Sequence, residues 1–271
     1  MPTFSQKLRS MLTNILILTF STLALAYLGL MLFAYVMADK MIFPYSGSTY
    51  QDSPEIKKLP TSDKNQVSTL YLPVEGSQHL LLYSHGNGED LGDILAHLEI
   101  FQSRGLSVLA YDYPGYGTST GRASEASVFA AADAVYQYAT QKLGYAPEQI
   151  TLYGRSLGSG PSCWLAERYP VRSLILDGAF SSTFRVITHI RILPWDRFNN
   201  LSRWSSISCP VLILHGTEDM TVPLAHAKQN AQAVRGEVTT VWVEDAGHNN
   251  LIEQLGSTYW DTVLPFAGKA L

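Results

Sequence analysis

Three side chains in this sequence have the types needed for acyl transfer. Ser156 lies in the stretch LYGRSLGSG (residues 152–160), Asp219 in HGTEDMTVP and His248 in DAGHNN. A serine hydroxyl is a weak nucleophile unless a base removes its proton, and a histidine base depends on a carboxylate to orient it. The three residues are therefore candidates for a nucleophile, its base and the orienting acid.

The pattern Gly-x-Ser-x-Gly around Ser156 does not identify a nucleophile by itself, because residues 117–121 (GTSTG) match it equally well. The neighbouring elements separate the two copies. A predicted strand, QITLYG, ends two residues before Ser156, and a predicted helix begins directly after it. Ser119 instead lies in a loop, six residues beyond the end of its predicted strand at Tyr113. The strand–turn–helix context of a nucleophile therefore favours Ser156.

The turn at Ser156 is predicted to be tight. Gly154 and Gly158 flank it, and a Cβ at either position is expected to collide with the adjoining helix and strand. Such a turn exposes the serine hydroxyl and directs the N-terminus of the next helix towards the reacting atoms.

The acid and the base are expected in later loops that follow strands. The loop after one predicted strand offers Glu218 and Asp219, and the loop after the next contains His248. Asp177 ends an earlier predicted strand and is an alternative acid; otherwise it is a hydrogen-bond partner at that strand end.

The elements that position these residues alternate between strand and helix from about residue 64. This alternation indicates βαβ units and an α/β fold with a mostly parallel sheet and helices on both faces, after a first antiparallel strand. Ligands bind such sheets beyond the carboxyl ends of the strands. The predicted strands are residues 66–73, 79–84, 106–113, 149–154, 171–177, 210–216 and 238–245; the predicted helices are 88–105, with Leu91, Ile94, Leu95, Leu98 and Phe101 on its inner stripe, 124–144, 157–169, 224–235 and one from Asn250 to the C-terminus.

The order Ser156, Asp219, His248 and the loops that carry these residues resemble the α/β-hydrolase superfamily. The resemblance implies that Asp219, and not Glu218, is the acid. It also implies an oxyanion hole built from two backbone N–H groups. One is that of Leu157, directly after the nucleophile, and the other is that of Asn87, in the loop SHGNGED, which is similar to the oxyanion loop of the family.

Five motifs, SHGNGEDLGD, DYPGYGTSTG, GRSLGSGP, HGTED and GHNN, together resemble a membrane-anchored group of α/β hydrolases. That group is related to the eukaryotic ABHD proteins, which include protein depalmitoylases and lysophospholipid hydrolases, and to the serine aminopeptidase clan. MIFPYS fits the group as well, and the similarity spans roughly residues 40–265. The resemblance implies the fold and the triad but not one substrate. Our main hypothesis is an esterase or thioesterase that acts on an acyl-bearing, lipid-like substrate and needs no cofactor.

The composition excludes several other classes of protein. The net charge is −4 and no basic run interrupts the sequence, which argues against a nucleic-acid partner. The two cysteines, Cys163 and Cys209, form no C-x-x-C pair, and the seven histidines include no H-E-x-x-H. We therefore expect buried cysteines and neither a metal nor an organic cofactor.

One apolar segment is long enough to cross a membrane. No charged residue occurs from Ser10 to Ala38, whereas a cleaved signal peptide has an apolar region of about 7–15 residues. Lys7 and Arg9 before the segment favour a cytoplasmic N-terminus and place the hydrolase domain on the far side of the membrane. The predicted organisation is a tail (1–10), a single transmembrane anchor (11–38), a tether packed on the domain edge (39–63) and the hydrolase domain (64–271).

Residues 178–208 are the least regular part of the predicted domain and are interpreted as a small lid. Their mixture of apolar and arginine side chains suits either a surface that rests on a bilayer and admits acyl chains or a lid packed on its own domain. The mixed residues are Phe184, Ile190, Leu193, Trp195 and Phe198 with Arg185, Arg191 and Arg197.

Other polar residues receive structural interpretations. His85 is expected to brace the oxyanion loop, and His215 to support a strand end. Arg155, beside the nucleophile, either meets an acidic group of the substrate or lies at the surface. The sequence as a whole predicts a membrane-anchored serine hydrolase cleaving an ester or thioester; the alternatives are an aminopeptidase-like amide hydrolase and a non-catalytic scaffold.

Overall fold

The computed structural model describes residues 3–44 and 47–268, which form two units, one ending at Ile42 and one beginning at Phe43. The first unit is a single helix, α1 (Phe4–Ile42), which includes the predicted anchor and extends beyond both of its ends. The most apolar 18-residue window of α1 has a mean hydropathy of 2.2 and no buried residue. By length and composition, α1 can cross a membrane.

The second unit is built on one eight-stranded sheet in the order β1-β2-β4-β3-β5-β6-β7-β8. β2 runs antiparallel to both of its neighbours, and all other pairs are parallel. The α/β architecture is therefore as predicted, including the antiparallel second strand. The strands are β1 (Ile56–Pro60), β2 (Gln66–Leu72), β3 (Leu80–Ser84), β4 (Ser107–Tyr111), β5 (Ile150–Arg155), β6 (Ser173–Asp177), β7 (Val211–Gly216) and β8 (Val238–Val243).

Strand β1 lies within the segment predicted as a tether. It pairs with β2 from Ile56 opposite Leu70 to Pro60 opposite Gln66. Its sequence, IKKLP, alternates poorly and ends in a proline, which is tolerated because β1 is an edge strand. The sheet therefore begins earlier than the boundary predicted at residue 64.

The helices that follow the strands cover both faces of the sheet. Alternate residues of a strand point to opposite faces, so that Leu81 and Tyr83 of β3 pack in one core cluster with α2 and α8, while Leu80 and Leu82 face the other side, where α4 contacts β5 and β6. The helices are α2 (Leu91–Ser103), α3 (Glu125–Gln141), α4 (Ser159–Arg168), α5 (Thr183–Thr188), α6 (Leu224–Ala233), α7 (Leu251–Leu255) and α8 (Ser257–Phe266).

Two details of the helix prediction were wrong. Leu95, placed on the inner stripe of α2, is 38% exposed, because the buried positions Leu91, Ile94, Leu98 and Phe101 leave it at the margin of the stripe. The predicted C-terminal helix is two helices, since Gly256 adopts a φ of +55° between α7 and α8 and interrupts the helical hydrogen bonds.

The segment predicted as a lid, residues 178–208, contains the short helix α5 and combines both of the surfaces that the sequence left open. Phe198 is fully buried, with its ring 5.3 Å from that of Phe129, and is therefore not available to a bilayer. Ile187 and Ile190, in contrast, are 71% and 66% exposed. The segment is packed on its own domain at one end and carries exposed apolar side chains at α5.

The two cysteines are buried and unpaired. Burial raises the pKa of the Cys163 thiol and raises that of Cys209 to about 11. Both therefore remain thiols and act as small apolar side chains, as expected from the sequence.

Candidate active site

The nucleophile turn has the geometry that its sequence predicts. Strand β5 ends at Arg155, a single 3₁₀ turn covers residues 156–158, and α4 begins at Ser159. Ser156 has a φ of +48°, in the left-handed region that side chains other than glycine rarely adopt. Strained backbone of this kind is concentrated at functional sites, where the surrounding structure enforces it.

The two glycines of the turn are required by close packing. A Cβ at Gly154 would lie 2.7 Å from the carbonyl oxygen of Gly158 and 2.8 Å from Ser159 Cα. A Cβ at Gly158 would overlap the carbonyl of Ser84 at the end of β3. The collisions with helix and strand that the sequence predicts therefore both occur, and they hold Ser156 at the carboxyl edge of the sheet.

Ser156, His248 and Asp219 form one continuous hydrogen-bonded chain. His248 Nε2 lies 2.9 Å from Ser156 Oγ, and His248 Nδ1 lies 2.6 Å from Asp219 Oδ2. Asp219 follows β7 and His248 follows β8, so that adjacent parallel strands deliver them to the same edge of the sheet. The three residues selected from the sequence are thus brought together in the spatial order expected of a nucleophile, its base and the orienting acid.

The carboxylate of Asp219 is held in its ionised form. Its Oδ1 accepts the N–H groups of Thr221 (2.9 Å) and Val222 (2.7 Å). Burial alone would raise the pKa of this carboxyl, but the hydrogen bonds from His248 and Val222 outweigh burial and lower it. An ionised acid can orient His248 and stabilise its protonated form.

His215 supports the acid from the opposite side. Its Nε2 donates to the carbonyl of Val222 at 2.7 Å and lies 3.3 Å from Asp219 Oδ2. Burial lowers the pKa of His215, which therefore stays neutral with the proton on Nε2. The structural role expected for His215 corresponds to this contact with the acid loop.

The two other carboxylates considered as the acid, Glu218 and Asp177, do not contact His248 through a hydrogen bond given by the structure. Glu218 is exposed. Asp177 is 5% exposed and accepts a hydrogen bond from the Tyr153 hydroxyl at 2.6 Å, which is itself 2.6 Å from the Tyr259 hydroxyl. The acid whose oxygen contacts His248 is therefore Asp219.

The loop after β3 places Asn87 beside a buried scaffold. The side-chain Oδ1 of Asn87 accepts from the Tyr116 hydroxyl at 2.7 Å. His85 Nδ1 donates to the carbonyl of Gly86 at 2.7 Å, and the His85 carbonyl accepts from the Tyr113 hydroxyl at 2.6 Å. Burial lowers the pKa of His85, so that the ring is a neutral brace of this loop.

Leu157 follows Ser156 in the 3₁₀ turn that precedes α4 and is 3% exposed. Backbone N–H groups in the first turn of a helix have no partner within that helix. Such a group beside the nucleophile suits an oxyanion donor.

The structure places Arg155, whose role the sequence left open, in hydrogen-bonded contact with two neighbouring loops. Nη1 donates to Glu89, and Nη2 donates to Asn249 Oδ1 at 2.8 Å. Neither partner is predicted by the sequence. The acidic residue three positions after Gly86 was a weak signal for Glu89, since its Oε2 accepts the Gly86 N–H at 2.9 Å.

A cavity of about 180 Å³ lies beside His248. Arg155 and four carboxylates contribute to its lining. Three of these carboxylates already accept hydrogen bonds: Glu89 from Arg155, Asp93 from the Asp90 N–H, and Asp177 from Tyr153. The lining also includes Glu253, His97 and Ile252.

The second Gly-x-Ser-x-Gly copy serves the structure of the sheet edge. Ser119 Oγ accepts the Ser68 N–H of β2 at 2.8 Å and donates to the Asp112 carbonyl at 3.3 Å. Gly117 packs on the Asp112 carboxyl, which a Cβ would overlap. Ser119 is thus a loop residue, as its position in the sequence indicates.

The remaining histidines lie apart from the triad contacts. His226 is buried with Nδ1 2.8 Å from Ser181 Oγ, and His97 packs edge-on against Tyr83 and Phe101. His189 ends α5 and is exposed. Within residues 3–44 and 47–268, no three His, Cys, Asp or Glu side chains are grouped so that they could hold a metal ion.

Comparison with known proteins gives consistent results. Residues 80–192 match the family model described as the alpha/beta hydrolase fold. The chain is 32% identical over 239 residues to alpha/beta hydrolase domain-containing protein 17B of Xenopus laevis, covering 87% of this chain and 82% of the relative. It is 33% identical over 224 residues to protein 17C of Mus musculus, covering 81% and 69%.

Among solved structures, the chain is similar to an esterase of Pyrococcus furiosus, with a TM-score of 0.71 and 16% identity over 83% of this chain and 98% of the esterase. It is also similar to Est1E of Butyrivibrio proteoclasticus with ferulic acid bound, with a TM-score of 0.65 and 19% identity over 79% and 100%. At these identities the likeness establishes the fold.

Proposed function

This chain belongs to the alpha/beta hydrolase family, and on that premise we propose that it is a membrane-anchored serine hydrolase that cleaves carboxylic esters or thioesters. The observation that carries the proposal is the hydrogen-bonded chain from Ser156 Oγ through His248 to Asp219. The left-handed backbone of Ser156 supports the proposal further, because strained backbone conformations are concentrated at functional sites.

The proposed reaction has two acyl-transfer steps. Ser156 Oγ attacks the carbonyl carbon while His248 Nε2 takes its proton, and the N–H groups of Asn87 and Leu157 stabilise the oxyanion. The tetrahedral intermediate expels the alcohol or thiol, which takes the proton from His248. Water then attacks the acyl-enzyme, with His248 again as base, and releases the carboxylic acid.

The proposed substrate bears an acyl chain. Helix α1 would hold the domain at a membrane, where acyl-bearing molecules are concentrated. The exposed Ile187 and Ile190 in residues 178–208 give that segment an apolar surface suited to such a substrate.

An aminopeptidase-like amide hydrolase has weaker support. Such an enzyme needs an acidic group to hold the amine of its substrate. Three of the four carboxylates in the cavity beside His248, Glu89, Asp93 and Asp177, already accept hydrogen bonds from the protein itself. Of the four, this leaves the exposed Glu253 to bind an amine. A non-catalytic scaffold is also less supported, because it would not need the strained Ser156.

Labelling with a fluorophosphonate probe tests the nucleophile. We expect the full-length chain in detergent to be labelled and Ser156→Ala to be unlabelled, with ester turnover lowered by about 10⁵-fold or more. Ser119→Ala is the matched control, because Ser119 occupies the same position in the second Gly-x-Ser-x-Gly copy and should keep wild-type labelling. Labelling that survives in Ser156→Ala would refute the proposal.

The bond that is cleaved is tested with matched substrates. We expect turnover of p-nitrophenyl esters and of acyl thioesters to exceed that of amino-acid anilides, and an acyl-length series to define the chain preferred. Preferential turnover of the anilides, dependent on Ser156, would instead support the amide hydrolase.

A further inference from the structure

Arg155 connects three loops of the proposed site. It is the last residue of β5 and precedes Ser156. Its Nη1 donates to Glu89 in the loop after β3, and its Nη2 donates to Asn249, the neighbour of His248, at 2.8 Å. The side chains of Arg155 and Glu89 are 19% and 24% exposed, so that their ion pair is largely shielded from water.

The ion pair lies directly against the backbone of the oxyanion loop. Glu89 Oε2 accepts the Gly86 N–H at 2.9 Å. A Cβ at Gly86 would lie 2.8 Å from that same oxygen and 3.1 Å from Arg155 Nη1. The next peptide carries the Gly86 carbonyl and the Asn87 N–H in one plane, and that carbonyl accepts from His85 Nδ1 at 2.7 Å. Glu89 holds one side of the Gly86 Cα and His85 the other, so that the two contacts together set the direction of the Asn87 N–H.

The guanidinium is suited to this arrangement in a way that an ammonium is not. Its planar fork can donate to Glu89 and Asn249 at the same time, whereas a lysine presents a single charged nitrogen on a flexible stem. Each terminal nitrogen of Arg155 donates to a residue of the protein, which favours a structural role for this side chain over direct recognition of an acidic substrate group.

We propose that Arg155 is a positioning residue. Through Glu89 it holds the Gly86 backbone so that the Asn87 N–H faces the oxyanion, and through Asn249 it holds the loop that carries His248. This inference rests on the proposed acyl transfer at Ser156.

Arg155→Met in the full-length chain tests the inference. We expect kcat for a soluble ester to fall about 10–100-fold while KM changes less than about 3-fold, because misplacement of an oxyanion donor affects the transition state more than the ground state. Affinity for a trifluoromethyl ketone, which mimics the tetrahedral intermediate, should fall in parallel with kcat/KM. Arg155→Lys should recover little of the loss.

A double mutant separates positioning from general stability. If Arg155 acts through Glu89, the variant carrying both Arg155→Met and Glu89→Gln should lose less than the product of the two single losses. Arg203→Met is the matched control, because Arg203 forms a similarly shielded pair with Glu167, with side-chain exposures of 12% and 26%. That variant should keep wild-type kcat, and melting temperatures should be compared for every variant.

The outcomes distinguish this inference from the proposed function. A wild-type chain that is not labelled at Ser156 would overturn the function itself. Ser156-dependent activity that persists at the wild-type rate in Arg155→Met, or inhibitor affinity that does not follow kcat/KM, would overturn the inference alone. If Arg155→Met does not fold, kcat/KM and the affinity for the trifluoromethyl ketone are measured instead in Arg155→Lys and Glu89→Gln.

Discussion

At the residue scale, two buried carboxylates near the carboxyl edge of the sheet have different hydrogen-bond partners. Asp219 faces His248 through one oxygen and two backbone N–H groups through the other. Asp177 faces the hydroxyl of Tyr153. Backbone N–H donors stabilise a carboxylate, and they also fix its direction, so that Asp219 is better suited to hold an imidazole through a catalytic cycle.

Replacing each carboxylate by its amide tests this difference. Asp219→Asn should lower kcat about 10³–10⁴-fold, as in serine proteases whose acid is changed to asparagine, because the amide favours the wrong tautomer of His248. Asp177→Asn should retain activity within about 10-fold. Ester turnover under saturating substrate measures both, and the reverse ranking would show that Asp177 is the acid.

At the scale of elements, the sequence predicts local structure correctly where several signals within a few residues agree. The strand before Ser156, the glycines at 154 and 158 and the helix after them predicted a turn that the backbone adopts. Strand β1 was not predicted, because its two adjacent lysines interrupt the alternation of apolar and polar residues that marks a strand. The contact between Arg155 and Glu89 joins residues 66 positions apart, and only the sheet order brings them together.

The segment that leads into β1 also contacts a buried acid. The Tyr50 hydroxyl donates to Asp112 Oδ2 at 2.5 Å, the Leu91 N–H donates to Oδ1 at 2.9 Å, and His85 Nε2 lies 3.6 Å from Oδ1. Burial, together with the charge of Asp90, raises the pKa of Asp112 to about 7, although the bonds from Tyr50 and Leu91 oppose this shift. The folded chain therefore binds a proton that the unfolded chain releases near pH 4.

This proton gives a stability prediction with a definite sign. Because the folded-state pKa of Asp112 is raised, its contribution is most favourable below the unfolded pKa and declines as pH rises from about 4 to about 7, by at most about 4 kcal/mol. Asp112→Asn mimics the protonated acid. Its melting temperature should match wild type near pH 4 and exceed it increasingly towards pH 7.

Melting curves in detergent across that range provide the measurement, with each kcal/mol expected to shift the midpoint by roughly 2–4 °C. Taking the difference in melting temperature between variant and wild type at each pH removes the contribution of the other titrating groups. A variant that is destabilised equally at every pH would show that Asp112 does not titrate in this window.

At the scale of the whole molecule, a single apolar helix precedes a catalytic fold that needs no cofactor in the proposed reaction. Helix α1 has no buried residue in its most apolar window, which is the expected property of a span whose side chains face lipid. The sequence could predict this long apolar helix from composition alone. Its orientation depends on few charges, since Lys7 and Arg9 precede the apolar segment and Lys40 follows it.

The proposed orientation places the hydrolase domain outside the cytoplasm and can be tested by reversing those charges. In a bacterial host, protease added to spheroplasts should digest the domain of the wild-type chain, while an N-terminal tag stays membrane-bound after a carbonate wash. Lys7→Glu with Arg9→Glu should shift part of the population to a protected domain, because lysine and arginine flanking a span are retained in the cytoplasm. Lys142→Glu, far from the span, is the control. A wild-type domain that is protected in intact spheroplasts and cleaved only after lysis would reverse the orientation. A domain that has lost its N-terminal tag and is released by the carbonate wash would identify α1 as a cleaved signal sequence.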